Sequence, residues 1–464
     1  MTKASKHARW LGLMCAIELI LTSHHAGAAN PVVIGKGMCD PSVRIYGDTV
    51  YAYCTHDVSP KNKNFTMTNW WVWSSTNLID WQLTGTIQPE DTYYKHSSTA
   101  CWATDGISRD GHYFFYFTLA LKNGNEVGVM SSSSPAGPWR DPRGTALIPA
   151  GKLRAPSQAR DPVIFQDQDG TGYIISGRWD YYIAKLNRDM ISLAEKPRLI
   201  LLDKKDGPYG PGKTDDKPFL HEYAGNYYLS WGCFYAMSTN LYGPYIYKGC
   251  FIVTNQTDPK FLSPSWSYFV NDRHGCFFEF HYQWYFMCND KTYPGTQPYF
   301  RDSIISYVHY RANGEIAPIY INEDGVGQYD ADKQIESENY FAATNVTQHE
   351  NATGGFEVRG IQDGSSLVYP NVGNLKAHSV LEFDAACGNP HGVIVEVHGK
   401  TATNDLLLAK CSIPTTGGWT NYRSVNCRLN NPAGKMDIYF IFHGDSGELL
   451  RLDWFKFKKR HFLF

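Results

Sequence analysis

The residues in this chain whose types and spacing could do chemistry are acidic, and they recur. Asp40, Asp105, Asp161 and Asp216 each head a similar phrase, and His274 heads a fifth. A carboxylic acid can give a proton to a leaving oxygen, and a carboxylate can take one from water. A third acid nearby raises a partner's pKa by like-charge repulsion and can orient it. One Asp at a strand start is ordinarily a turn or cap residue. Several at equivalent repeat positions, brought to one place by the fold, make a constellation for acid–base work.

The phrases themselves say which elements must do the positioning. Each reads as an acidic residue or His, a strand, a turn, an aromatic strand and a third strand. They are DPSVRIYGDTVYAYCTHD from Asp40, CWATDGISRDGHYFFYF from Cys101, RDPVIFQDQDGTGYIISG from Arg160, DKPFLHEYAGNYYLSWG from Asp216 and HGCFFEFHYQWYFMCND from His274. The heads are separated by 65, 56, 55 and 58 residues. That is enough chain for one four-stranded sheet per repeat, and five such sheets set radially predict a β-propeller. Equivalent positions on the innermost strands of a propeller converge near its axis. Near Gly325 the pattern stops, and IESENYF from Ile335 to LDWFKF at Leu452 reads as a second all-β unit, a sandwich. The expected boundaries are 1–29 for a leader, 30–325 for the propeller and 333–458 for the sandwich.

The bulk composition narrows the partners. The 464 residues are 43% hydrophobic and 19% charged, with formal net charge -2. No long basic stretch precedes the final residues, which argues against nucleic acid, since phosphate recognition needs concentrated positive charge. The 31 Tyr, 24 Phe and 13 Trp suit pleated strand cores, and some could serve as stacking platforms for sugar rings. Lys3, Lys6 and Arg9, then an apolar run from Trp10 to Leu21, then Ala26-Gly27-Ala28-Ala29, read as a secretory signal. The expectation is an exported, soluble monomer with no membrane span. Of 11 Cys, one lies in the leader, leaving an even ten, as disulfides would require. Candidate pairs are Cys276 with Cys288, Cys233 with Cys250 and Cys411 with Cys427. Sequons begin at Asn64, Asn255, Asn345 and Asn351. No Gly-rich phosphate loop is present, so no organic cofactor is expected.

The phrases CDPSVRIYGDTVYAY, SSTNLIDW, CWATDGISRDGHYFFYF, RDPVIFQDQDGTGYIISG, KPFLHEYAGNYYLSWG and HGCFFEFHYQWYFM together resemble glycoside hydrolase family 43 over about residues 31–325. The resemblance implies a five-bladed propeller that hydrolyses plant-type pentose polysaccharides with inversion, of the α-L-arabinofuranosidase or β-xylosidase type. A galactan- or arabinan-cleaving relative and a catalytically weak carbohydrate-binding protein are the alternatives. It also implies that Asp40 is the general base and that Asp161 tunes and orients the acid. The family's acid is a Glu followed by a small residue and often Pro; here Asp216-Lys217-Pro218 stands there, one methylene shorter, with Asp215 as a neighbouring alternative. Glu222 is too far along the strand, about 20 Å away. The resemblance further implies a sugar contact for Arg301, a pocket-lining role for Trp102 with Thr104 in place of a Pro, and a place beside an axial ion or water for His274. IESENYF, GWTNYRSVNC and ELLRLDWFKF resemble a family 6 carbohydrate-binding module over about residues 333–458. That implies a structural Ca2+ at Glu336, Glu338 and Asp453, and a stacking role for Trp419, with Gly360 and Arg451 departing from the usual cleft.

Overall fold

The computed structural model describes residues 30–153, 155, 158–252, 273–290, 299–430 and 432–459. The expected leader and the sequon at Asn255 lie outside them. The first blade pairs Met38–Tyr46, Thr49–Asp57, Met67–Ser75 and Gln82–Ile87 in chain order, all antiparallel. The second has Cys101–Arg109, His112–Leu121 and Gly124–Ser132, extended by bridges from Val127 to Ile148 and Ser131 to Arg140. The third has Val163–Gln166, Gly172–Arg178, Asp180–Lys185 and Arg198–Leu199, and the fourth Pro218–Tyr223, Asn226–Trp231, Phe234–Ser238 and Ile246–Cys250. The fifth has Gly275–Phe280, Gln283–Asp290 and Asp302–Val308. The first strand of each blade touches that of the next, and the fifth blade's touches the first's. The five sheets therefore close into a ring, the expected propeller.

Tight hairpins make each blade. Asp110-Gly111 and Ala224-Gly225 have φ of 52° and 77° and of 50° and 79°, the double positive pattern that matches strand twist. His281-Tyr282 does the same at 53° and 66° without a glycine. The ring is fastened by the segment just ahead of the first blade, residues 30–37. The Val32 N–H donates to the Ser303 carbonyl at 2.9 Å. The Asn30 side chain donates to the carbonyls of Ile305 and Asn322 and accepts the Ile305 N–H. Asp302 accepts the N–H groups of Gly35 and Gly37.

The C-terminal unit is a sandwich of two six-stranded sheets. One contains Ser366–Gly373, Val393–Lys400, Asp405–Ile413 and Met436–His443; the other contains His378–Ala386, Arg423–Arg428 and Arg451–Lys459. Met436–His443 alternates buried and half-buried side chains along its whole length, as a strand with one face on a core must. Leu367, Tyr369, Phe383, Val395, Phe440 and Phe455 fill the space between the sheets. Cys411 and Cys427 form a disulfide joining an outer strand of each sheet. Cys233 and Cys250 face each other as thiols with Sγ atoms 3.3 Å apart. Cys276 and Cys288 do not pair: the ladder sets Cys276 opposite Met287 and Cys288 opposite Gly275.

The sandwich docks on the fifth blade. His309 sits between Gln348 and Asn339, with a ring nitrogen 3.0 and 2.9 Å from each. The Gln348 amide also donates to Gln283, and the Tyr340 hydroxyl donates to the carbonyl of Tyr282.

Candidate active site

Three innermost strands begin the same way, with a residue before proline in left-handed backbone. Asp40-Pro41, Asp161-Pro162 and Lys217-Pro218 have φ of 48°, 52° and 51° at the first residue. L-residues adopt this region at a cost, and such strain persists only where the surroundings over-determine it. Here each amide is claimed by a side chain. The N–H of Asp40 donates to Asn289 Oδ1 at 2.6 Å, that of Asp161 to the Thr118 hydroxyl at 2.7 Å, and that of Lys217 to Asp161 Oδ2 at 3.2 Å. The strained turns aim their side chains at the axis.

Asp40 is buried and surrounded by donors. Its Oδ1 lies 2.8 Å from Asn289 Nδ2, 3.0 Å from Arg301 Nη1 and 3.0 Å from His274 Nδ1, and its Oδ2 accepts the Thr55 hydroxyl at 2.9 Å. Burial alone would push its pKa up. Arg301, with His274 and Asn289, overrides that and holds the carboxyl well below the usual carboxylate range. Arg301 is itself clamped by Asp57, through Nε at 2.9 Å and Nη2 at 3.1 Å. With 2% of it exposed, Arg301 presents no open face to a sugar. Its guanidinium joins Asp40 to Asp57.

Across the axis stand Asp161, Asp215 and Asp216. Asp216 Oδ2 lies 2.9 Å from Arg160 Nη2, and its Oδ1 lies 2.9 Å from His274 Nε2. Arg160 also donates to Asp161 through Nε at 3.1 Å. Burial raises Asp216, but Arg160 and His274 prevail and hold it well below the ordinary value. Burial is also the largest influence on Asp161; Arg160 opposes it, the charges of Asp216 and Asp40 reinforce it, and the net shift is upward. Of these two acids, Asp161 is the one whose surroundings favour the protonated form and Asp216 the one whose surroundings favour the carboxylate. Trp102 lies at the rim, with the Arg160 guanidinium 4.5 Å above its ring. The ring thus braces the arginine that faces Asp216.

Asp215, Asp216 and His274 bring three ligand atoms within 4.8 Å of one another, which is the geometry of a possible cation site. An ion there would be held by these three side chains. Each His274 ring nitrogen already faces a carboxylate, Asp40 on one side and Asp216 on the other. Burial would lower its pKa, but those carboxylates raise it well above the ordinary histidine value.

In the sandwich, Glu338 is buried, and its Oε2 has no hydrogen-bond partner. Burial and the neighbouring Glu336 raise its pKa well above the usual value, and Asp453 is pushed up to about 6 by burial, against a hydrogen bond from Asn351. These three acids do not bring ligand oxygens within 4.8 Å of one another, so what the structure offers a hard cation here is the unsatisfied Glu338 oxygen. Trp419 packs on Gly388, where even a Cβ would stand 2.5 Å from the ring. The Arg451 guanidinium lies 5.6 Å from its centroid.

Asp105, a repeat head like the others, serves the scaffold. It accepts Arg44 of the first blade and the Ile164 N–H of the third. Glu222 accepts the Gly225 N–H in its own hairpin and takes no part in the cluster. Asn289, Arg160, Thr55 and Thr118 belong to the site without having been singled out. Arg160 adjoins Asp161 in sequence, which was a usable signal; the others sit near the ends of second strands, at or just past the close of the quoted phrases, where the residue type is not shared between repeats.

The comparisons agree with this geometry. Residues 28–316 match the family model "Glycosyl hydrolases family 43", and residues 336–459 match "Carbohydrate binding module (family 6)". The chain is 27% identical to an arabinoxylan arabinofuranohydrolase of Paenibacillus polymyxa, over 93% of this chain and 74% of that protein. It is 26% identical to a xylosidase/arabinosidase of Bacteroides ovatus, over 62% of this chain and 96% of that one. In fold it is similar to the crystal structure of a family 43 arabinoxylan arabinofuranohydrolase from Bacillus subtilis in complex with cellotetraose, with TM-score 0.54, 23% identity, and 94% and 98% of the two chains covered. A five-bladed ring with converging carboxylates at its axis, matched by the family model over most of its length, belongs to glycosyl hydrolases family 43, and the chain is a glycosidase carrying a family 6 carbohydrate-binding module.

Proposed function

We propose that this glycosidase releases arabinofuranose or xylose units from arabinoxylan-type polysaccharides, with inversion of the anomeric centre. Asp40 is the general base, Asp216 the general acid, and Asp161 tunes and orients the acid. The observation that carries this reading is the His274 bridge. One imidazole touches Asp40 at 3.0 Å and Asp216 at 2.9 Å. The imidazole stands between the two carboxyl groups and spaces them apart, which supports the roughly 6.5–9.5 Å separation that leaves room for a water in inverting enzymes. Asp40, held ionised, is suited to take a proton from that water.

Asp216 begins as a carboxylate paired with Arg160 and His274. It must gain a proton, from the side of Asp161, before it can donate one. The expected enzyme is therefore slow on substrates with poor leaving groups and faster on activated aryl pentosides. Proton NMR of fresh product should show the inverted anomer first. Asp216→Ala should cost far more on xylo- or arabino-oligosaccharides than on 4-nitrophenyl pentosides, since a nitrophenolate leaves with little protonation. An equal loss on both, or none, would remove Asp216 as the acid and point to Asp215.

Export through a secretory route is part of the same proposal. The Cys411–Cys427 disulfide supports it, because such bonds persist in oxidising compartments. In the module, Glu336, Glu338 and Asp453 would hold a Ca2+ whose charge would neutralise the buried acids and tie two strand ends together.

A further inference from the structure

Lys217 is the least expected side chain in the centre. It is 0% exposed, and its Nζ donates to the Ser42 hydroxyl at 2.7 Å. Ser42 lies on the first blade and Lys217 at the head of the fourth. These blades are not neighbours in the ring: the first touches the second and fifth, and the fourth touches the third and fifth. A contact between their innermost strands can only cross the central channel. The side chain runs through the axis and reaches the strand that carries Asp40, two residues before Ser42.

The backbone says the same. Lys217 shares its left-handed conformation and following proline with Asp40 and Asp161, so it is the third member of one structural set. Two members supply carboxylates and the third an amine. The Cys54 and Cys276 thiols, on the first and fifth blades, both feel its charge. Its own amide donates to Asp161, and its predecessor in the chain is Asp216. One residue thus touches the base's strand with its head and the tuning acid with its backbone, and carries the acid as its neighbour.

We propose that Lys217 is a positioning residue for the hydrolytic centre: its ammonium, buried at the axis, bolts the fourth blade to the first across the propeller and fixes the spacing of Asp40 and Asp216. The proposal rests on the assignment of those two residues as base and acid. A buried charge in a low-dielectric channel acts strongly on ionised neighbours, and a shift of about 1 Å between catalytic groups costs roughly a hundredfold in rate.

The test compares wild type, Lys217→Met, Lys217→Gly and Ser42→Ala on a 4-nitrophenyl pentoside and an unactivated oligosaccharide. Lys217→Met is expected to lower kcat roughly a hundredfold with KM little changed, with the acidic limb of the pH profile left in place, because Arg301, His274 and Asn289 still hold Asp40. Lys217→Gly relieves the positive φ and empties the channel; ethylammonium should restore part of its kcat, and 1-propanol, of similar size without charge, should not. Should both Lys217 variants fail to fold, Ser42→Ala decides, since it keeps the ammonium and removes its anchor: kcat down about tenfold supports the bolt, and an unchanged kcat overturns it. A KM that rises with kcat unchanged in Lys217→Met, or equal rescue by both additives, also overturns the proposal. A wild type that hydrolyses neither substrate overturns instead the functional reading on which it rests.

Discussion

At the scale of single residues the centre is a charge lattice, and its members have different duties. Asp40→Asn keeps the shape of the side chain and removes its capacity to take a proton; kcat should fall by several orders of magnitude, while the circular dichroism spectrum is retained. Arg160→Met should act in the opposite sense on the acid. Loss of the guanidinium 2.9 Å from Asp216 lets the pKa of that carboxyl rise, by roughly 1–3 units for an opposite charge at this range. The group must be protonated to donate, so the alkaline limb of the kcat profile should move to higher pH; a limb that stays in place would show that Arg160 does not set the acid. Much of this lattice was legible in the sequence. Asp40, Asp161 and Asp216 were marked by the repeated phrase and do converge. Asp105 carried the same mark yet became a scaffold residue, because no proline follows it and Arg44 captures its carboxylate. Lys217 was visible only as a bulky neighbour of the acid. Setting D-P, D-P and K-P one above the other would have placed it on the axis, but a lysine there reads as a departure rather than as a member of the set.

At the scale of elements, strands and turns followed from local chemistry wherever glycine marked them. Asp110-Gly111 is a hairpin on sight. His281-Tyr282 is not, because neither residue favours positive φ; the turn holds through His281 stacked on Phe280 at 3.8 Å and Tyr340 bonded to the Tyr282 carbonyl. Tyr282 is 75% exposed. Tyr282→Gly should therefore relieve left-handed strain of roughly 1–2 kcal/mol against an added unfolded-state entropy of about 0.5–1 kcal/mol. The expected outcome in a denaturant titration is a slight net stabilisation. In the sandwich, the acidic set Glu336, Glu338 and Asp453 predicts that a chelator lowers the module's Tm and that excess Ca2+ restores it. A melting curve indifferent to both would dismiss the ion. The disulfide pattern was less legible: alternation along a strand decides which thiols meet, and a one-residue offset in the ladder separates Cys276 from Cys288.

At the scale of the whole molecule, the two units meet through a polar seam, with His309 bonded on both sides by residues of the sandwich. Burial lowers the pKa of His309, against the hydrogen bonds from Gln348 and Asn339. The sign follows: a histidine with depressed pKa must shed its proton on folding, so its contribution is full above the unfolded value, near 6.5, and is lost as pH falls through the depressed one. Acidification should loosen the docking before it unfolds either unit, visible as two separated calorimetric transitions where one is seen at neutral pH. His309→Leu should produce the same separation at all pH values. This seam could not be read from the sequence, since nothing in a string of strands says which blade a second unit will lean on.

The fastening of the ring by Asn30 has a further consequence, for the order in which the protein can be made. Asn30 grips the carbonyl of Asn322, 292 positions away. On a ribosome, four blades must emerge and wait as an open stack, with the apolar edges of the first and fourth uncovered, until the fifth arrives to receive the segment around Asn30. Contacts this distant in sequence carry a large loop-closure cost and slow folding. Nascent chains stalled before residue 300 should be protease-sensitive and prone to association, and protection should appear abruptly once residue 322 has cleared the exit tunnel. The sandwich, synthesised afterwards, then lands on the blade that has just locked the ring.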